Sequence, residues 1–270
     1  MITSKVESAI GHIALIIGAL VAIYPFFTIV AQALSPAPGS EATSFTFENF
    51  VNAWTRGGFS TSLLSSAFVA FFVVVLTGFV ATLAGYALAA LNLKWRGLIM
   101  GVLLIGLVLP TEARIIPIYH MMNDIGLLDT HWALILPQVA SSFSLATFWM
   151  TNFFSSLPSS IGEAASLDGS SDWQTLRFVY APLGLSALGT LSCLLFLYAW
   201  NEFMLALVLV PQNSLAQTAP LSLSFFAGNE RNTEPEVIAA AAVLVALPVV
   251  IAYVFLQRRF MEGILEGAVK

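Results

Sequence analysis

Residues 62–91 read SLLSSAFVAFFVVVLTGFVATLAGYALAAL, thirty positions without one charged side chain. A hydrocarbon core about 30 Å thick takes about 20 helical residues to cross, and a helix satisfies its own backbone groups in lipid. A run of this length and kind predicts a membrane-spanning helix. Within it Ala81, Gly85 and Ala89 recur every fourth residue. That spacing is the small-xxx-small face on which helices approach closely in lipid. Chance in an Ala-rich helix explains it as readily. The rest of the chain agrees with a membrane solvent: 58% of its 270 residues are hydrophobic, 9% are charged, and the mean hydropathy is +0.88. Soluble domains carry about 25% charged residues. The formal net charge of −5 gives no support to a nucleic-acid partner. The single cysteine, Cys193, lies in an apolar run, so the chain has no disulfide framework or cysteine-based metal site of its own.

Five further stretches are long and apolar enough to span. The spans are expected near 9–34, 62–91, 98–122, 132–154, 183–211 and 237–257. The fold class that follows is an all-α membrane protein, one membrane domain over 1–270 with six transmembrane helices. Lys5 before the first span and Ala31-Gln32-Ala33 within it resemble a cleavable signal. Its apolar stretch exceeds the 7–15 residues of a signal core, so a retained anchor helix is expected. Lys and Arg set the orientation. With the N-terminus inside, the inner pieces hold Lys5, Lys94, Arg96, Arg177, Arg258, Arg259 and Lys270, and the outer pieces hold Arg56 and Arg231. Both termini are therefore expected in the cytoplasm. The outer loops are 35–61, 123–131 and 212–236; the inner loops are 92–97 and 155–182.

The second inner loop contains EAASLDGSSDWQTLRFVYAP, residues 163–182, polar and helix-breaking in an apolar chain. Pro158 should stop the fourth span. Ser160 stands three residues before Glu163, a capping-box spacing that predicts a short helix through EAASLD. Gly169 is its expected stop, because glycine tolerates the left-handed conformation. Ser171 and Gln174 repeat the capping-box spacing and predict a second short helix over 172–180, ending before Pro182. Pro182 would open the fifth span. Trp173, Leu176 and Val179 or Tyr180 share a face that could pack back on the bundle. By spacing alone, an ordinary loop with surface helices is the favoured reading.

This loop resembles the EAA loop of the permease subunits of bacterial ATP-binding-cassette importers. The pattern is Glu-Ala-Ala, three residues, Gly, nine residues, then hydrophobic-x-Leu-Pro. It is matched here by Glu163-Ala164-Ala165, Gly169 and Val179-Tyr180-Ala181-Pro182, with Ala181 where Leu is usual. Asp168-Gly169 is similar to the carbohydrate-uptake branch. So are Ala199-Trp200-Asn201-Glu202-Phe203, Leu127-Leu128-Asp129-Thr130, and the ending from Gln257-Arg258-Arg259-Phe260 to Gly267-Ala268-Val269-Lys270. The resemblance runs from the third span to the last residue and is to the maltose-permease G-type subunits in particular. It implies that 155–182 is a cytoplasmic loop whose coupling helix docks in a cleft of an ATPase subunit. Glu163 would be the polar contact, Ala164 and Ala165 the close-approach surface, and Asp168-Gly169 the turn that sets the angle. It further implies a homologous second permease, two cytoplasmic ATPase subunits, an extracytoplasmic substrate-binding protein, and a multi-pass location in the bacterial inner (plasma) membrane.

No Lys directly follows a Gly, so the phosphate-binding GxxxxGK loop is absent and the chain carries no catalytic or metal residues by motif. ATP and Mg would be bound by the partner ATPases. Ionisable residues inside spans are candidates for function. They are Glu112, Arg114 and Glu202, with His120 near an end. Glu112 and Arg114, two apart, do not share a helix face; an ion pair across helices and a pathway role both fit. A sugar needs hydroxyl-matching polar groups beside flat apolar ones. The fourth span offers Gln138, Ser141, Ser142, Ser144 and Trp149, and the fifth Tyr198, Trp200, Asn201 and Glu202. Ser141, Asn201 and Glu202 are the pathway candidates, with ordinary aromatic packing as the alternative for the rings. Pro25, Pro110, Pro117, Pro137 and Pro248 interrupt spans and Pro211 ends one, compatible with moving or fixed bends alike. The outer loops carry Glu41, Glu48, Glu230, Glu234, Glu236, Arg56 and Arg231, where a binding protein could dock or a solvated face could simply lie. An intramembrane enzyme is disfavoured: the four Asp residues fall in loops, HExxH is missing, and His12, His120 and His131 lack ligand spacing. A permease for glycerol-3-phosphate or another non-sugar solute, or a secondary transporter, is the alternative function.

Overall fold

The computed structural model describes residues 5–36, 44–91, 93–228 and 234–268, with side chains over 10–255. Glu41, Glu230, Arg231 and the final Val269-Lys270 lie outside the described residues. The described chain is helical, without a strand. Its helices are α1 (Lys5–Ala33), α2 (Glu48–Gly57), α3 (Phe59–Ala90), α4 (Arg96–Val108), α5 (Thr111–Asp124), α6 (His131–Ser156), α7 (Ser159–Leu167), α8 (Asp172–Thr175), α9 (Ala181–Leu183), α10 (Leu185–Trp200), α11 (Met204–Leu209), α12 (Ala219–Gly228) and α13 (Pro235–Ala268). A single π-turn, Leu176–Tyr180, joins α8 to α9. Four helices are long and apolar enough to cross a membrane alone: Ile10–Ala33, Phe59–Ala90, His131–Ser156 and Pro235–Phe255. Two bent pairs bring the number of spans to as many as six.

The bent pairs correct two expected spans. The third span is not one helix over 98–122. It breaks between α4 and α5 with a bend of 98°. The cause is Pro110, which lacks an N–H and pushes the residue before it out of the helical region; Leu109 is extended at φ −67, ψ 121. Pro25, Pro117, Pro137 and Pro248 sit inside helices that continue through them. The fifth span is likewise not helical over 183–211. The bend of 69° falls between Leu183 and Leu185, at Gly184 rather than at Pro182, and α10 stops at Trp200. A Cβ at Gly184 would lie 2.9 Å from the Phe154 ring, so only glycine fits that corner.

Contacts divide the chain into two units. In the first, Met1–Ser60 with Ser222–Leu247, the Asn49 side-chain amide donates to the carbonyls of Ala33 and Ser35 at 2.9 and 2.7 Å. It thereby satisfies the chain end of α1, where the last helical carbonyls lack partners. Phe59 meets Phe226 edge-on, with ring centres 5.6 Å apart. Arg56 pairs with Glu234 at 3.3 Å across half-exposed side chains, a contact worth well under ~1 kcal/mol.

The second unit, Thr61–Leu221 with Pro248–Lys270, is organised on α6, which packs against α4, α5, α10 and α11. Lipid gives no hydrophobic drive between helices, so close packing of small residues does the work. At Gly85 an added Cβ would stand 2.6 Å from the Met150 Cβ and 3.0 Å from α6 backbone atoms. At Gly106 it would stand 2.6 Å from the Ser144 hydroxyl. The small-residue face expected on α3 is thus a contact face at Gly85, with Ala81 fully buried beside it. Two buried clusters lie along α6. One gathers Val69, Val73, Leu134, Ile135, Trp200, Leu205 and Leu209. The other gathers Ala81, Tyr86, Met150, Phe154, Leu176, Tyr180 and Leu191.

Candidate functional site: a projecting helix and a broken-span groove

Helix α6 ends at Ser156, and α7 begins immediately behind Pro158. The capping box expected from Ser160 to Glu163 does not form. Proline's extended backbone, at φ −57 and ψ 133, occupies the cap position, so the helix starts at Ser159 and Ser160 falls inside its first turn. Glu163 is left free of a capping duty and exposed. The other end is as expected. Gly169 is left-handed at φ 75, and the N–H groups of Asp168, Gly169 and Ser170 donate to the carbonyls of Ala164, Ser166 and Ala165 at 3.0, 3.1 and 3.0 Å. Ring closure of this type satisfies the last carbonyls of a helix and fixes the exit of the chain. The second capping box does form: the Ser171 N–H donates to Gln174 Oε1 at 2.8 Å, and the Gln174 N–H to Ser171 Oγ at 3.4 Å.

The segment after it is a helix with a π-turn and a short continuation, not one helix ending before Pro182. Leu176 and Tyr180 pack back on the bundle, as expected of that face, and Val179 joins them at its edge. Trp173 does not; it is exposed, because the π-turn shifts the register of the face. The Tyr180 ring stacks edge-on to Tyr86 and Phe154, with centres at 5.0 and 5.7 Å. A Cβ at Gly162 would lie 3.1 Å from the Tyr180 hydroxyl, so α7 sits directly on this aromatic base.

The alanine pair therefore divides. Ala165 is buried underneath α7, and Ala164 faces outward with Glu163 and Asp168. They share the exposed side with Leu167, which is 89% exposed. An aliphatic side chain held that far into solvent is apolar area that a facing protein surface would remove from water. Leu167 was missed in the sequence, although an isolated Leu in a polar insert was the available signal.

The pathway candidates do not gather. Ser141 lines a groove of about 420 Å³ with Arg114, Ile118, Met121, Met122, Leu136, Pro137 and Ala140. Asn201 is exposed, and its amide donates to the Leu197 carbonyl at 2.8 Å, closing the end of α10. The Glu202 carboxylate accepts the Leu205 N–H at 2.8 Å and so closes the start of α11. Glu112 is exposed and Arg114 half-buried. The cross-helix ion pair is not made: among the described residues Arg114 contacts only the Thr111 hydroxyl, at 3.3 Å.

The 126–130 turn is a structural clamp that sequence reading had noted only as a resemblance. Gly126 and Asp129 are left-handed at φ 69 and 58, a conformation Asp tolerates better than most residues. The Asp129 carboxylate accepts the N–H groups of Gln212 and Asn213 at 3.0 and 3.2 Å, and the Asn213 amide returns to the Asp129 carbonyl at 2.8 Å. Thr130 caps α6 by accepting the Ala133 N–H.

Apolar spans, two of them broken, with a polar loop presenting a short capped helix, define a polytopic helical membrane protein. Residues 81–265 match the model of the family described as "Binding-protein-dependent transport system inner membrane component", and the chain belongs to this family of transporter permeases. It is 31% identical over 255 residues to the trehalose transport system permease protein SugB of Mycobacterium tuberculosis, covering 92% of this chain and 93% of that one. It is 29% identical over 276 residues to the trehalose/maltose transport system permease protein MalG of Thermococcus litoralis, covering 98% and 99%. It is 30% identical over 270 residues to the sn-glycerol-3-phosphate transport system permease protein UgpE of Escherichia coli O157:H7, covering 95% of each. Its fold matches a chain in the crystal structure of a bacterial ABC transporter involved in the import of the acidic polysaccharide alginate, with a TM-score of 0.78, 26% identity, and coverage of 96% and 99%.

Proposed function

We propose that the chain forms half of the translocation pathway of an ATP-driven importer of a carbohydrate, in the bacterial inner membrane with both termini in the cytoplasm. A homologous second permease supplies the other half. Two ATPase subunits, which bind ATP and Mg, dock at α7, and an extracytoplasmic binding protein delivers the substrate. The observation that carries this reading is α7 itself. Its underside meets the Tyr180 hydroxyl at Gly162, and the Tyr180 ring is in turn braced edge-on by Tyr86 and Phe154, while Glu163, Ala164, Leu167 and Asp168 face outward. A helix held this way transmits a push as a rigid lever, because close-packed interiors deform little. Closure of the ATPases would move α7, and through the aromatic base the ends of α3 and α6. The sugar-transport names among the relatives support the substrate class.

The test is co-purification with the cognate ATPase. Wild-type chain retains it, and Leu167→Asp loses it at least tenfold while inserting and melting normally. Proton-driven uptake by this chain alone, without an ATPase, would refute the reading.

A further inference from the structure

The groove beside the break of the third span is lined by Arg114, which has no counter-charge among the described residues. Arg114 lies half-buried on α5, its guanidinium meets only the Thr111 hydroxyl, and its Nε is buried with no partner. No carboxylate among the described residues stands within ion-pair distance of it. The sequence places Arg114 within the third span, where an unpaired charge is costly and is kept where water or a ligand reaches it. A buried guanidinium N–H left without an acceptor adds to that cost. The neighbouring backbone points the same way: at Leu109 and Pro110 the span is not helical, which in lipid is tolerated only against protein or a water-filled cavity. The rest of the lining is apolar side chains and Ser141 of α6. An arginine and a serine among apolar residues suit an anionic group attached to a compact, partly apolar body.

We infer that this groove receives the anionic group, a carboxylate, sulfonate or phosphate, of the transported solute, so that Arg114 selects acidic or phosphorylated carbohydrates over neutral ones. This rests on the reading that the chain lines a translocation pathway.

The test uses the whole importer in phosphatidylcholine vesicles, with Cys193→Ala and Ser141→Cys as reporter and other reactive cysteines replaced. The thiolate introduced by Ser141→Cys attacks a methanethiosulfonate reagent, forming a disulfide and releasing methanesulfinate. One reagent carries a sulfonate and the other a trimethylammonium. The anionic reagent is expected to react faster, the ratio to fall about tenfold in Arg114→Gln, and Arg114→Lys to keep most of it. Glucuronate and inorganic phosphate should slow the reaction when Arg114 is present, a measurement that stands even if Arg114→Gln fails to assemble. A ratio indifferent to Arg114 overturns the inference. So does a thiol closed to both reagents, which places the second permease or acyl chains in the groove. Slowing by added phosphatidylglycerol but not by glucuronate assigns the groove to a lipid headgroup and also overturns it. Binding-protein-stimulated ATP hydrolysis is recorded on the same vesicles: its absence counts against the importer reading, while hydrolysis without Arg114-dependent selectivity counts against this inference alone.

Discussion

At the Ser156 end of α6, the Glu163 carboxylate stands in the open beside a Leu167 that is 89% exposed. At the His131 end, the Asp129 carboxylate accepts two backbone N–H groups, at 3.0 and 3.2 Å, from the chain that follows α11. Both ends are polar turns with a left-handed residue, Gly169 at φ 75 and Asp129 at φ 58. One end leaves its charges unpaired on a projecting helix. The other uses them to tie two chain segments together, with Thr130, Asn213 and Glu202 each bonded to backbone. Polar residues used up inside the chain build architecture, and polar residues left over on a rigid support are available to a partner.

That contrast breaks most visibly at Gly169. Gly169→Pro forces φ to about −65° and removes the N–H that meets the Ser166 carbonyl. Transport in reconstituted vesicles should fall to background while the protein still inserts, because the turn aims α7 but holds little of the bundle. Wild-type rates would end the lever account. Asp129→Ala should do the reverse. Two backbone N–H groups, one exposed and one part-buried, lose their acceptor, costing about 1–2 kcal/mol of stability, seen as a lower melting temperature in detergent, with ATPase docking intact in the fraction that remains folded. Asp129→Asn, which keeps the left-handed backbone and an acceptor oxygen, should recover most of the loss. The smallest effect is expected at Glu202→Ala, about 1 kcal/mol for a helix start left without its acceptor, with substrate selectivity unchanged. A selectivity change at constant melting temperature would return Glu202 to the pathway, and Asn201→Ala reads out the same question for its neighbour.

Much of the fold was legible. The charge-free run at 62–91 became α3, and the fourth span became α6 within two residues of its expected ends, His131–Ser156. Gly169 and the Ser171–Gln174 box behaved as local rules require, because φ and a three-residue reach are local quantities. The misses are where local signals compete. Pro158 displaced Ser160 from the cap position, and the corner fell at Gly184, where a Cβ would crowd the Phe154 ring, rather than at Pro182. Among the span prolines, Pro110 breaks a helix and Pro137 does not. The sequence contains both, but whether neighbours hold a helix together across a proline depends on residues distant in the chain.

The sequence alone determined that this protein lives in lipid, that its chain is helical, and that its 155–182 loop carries a short helix closed by Gly169. Those properties follow from hydropathy, backbone sterics and short-range spacing. Tertiary structure decided which residues remain for function. Ala165 turned inward and Leu167 outward, Glu202 was tied to the start of α11, and Arg114 was left in a groove with no carboxylate partner among the described residues. The physical reason is that exposure and pairing depend on which side chains from distant segments arrive at the same place, and residue type and spacing do not carry that information.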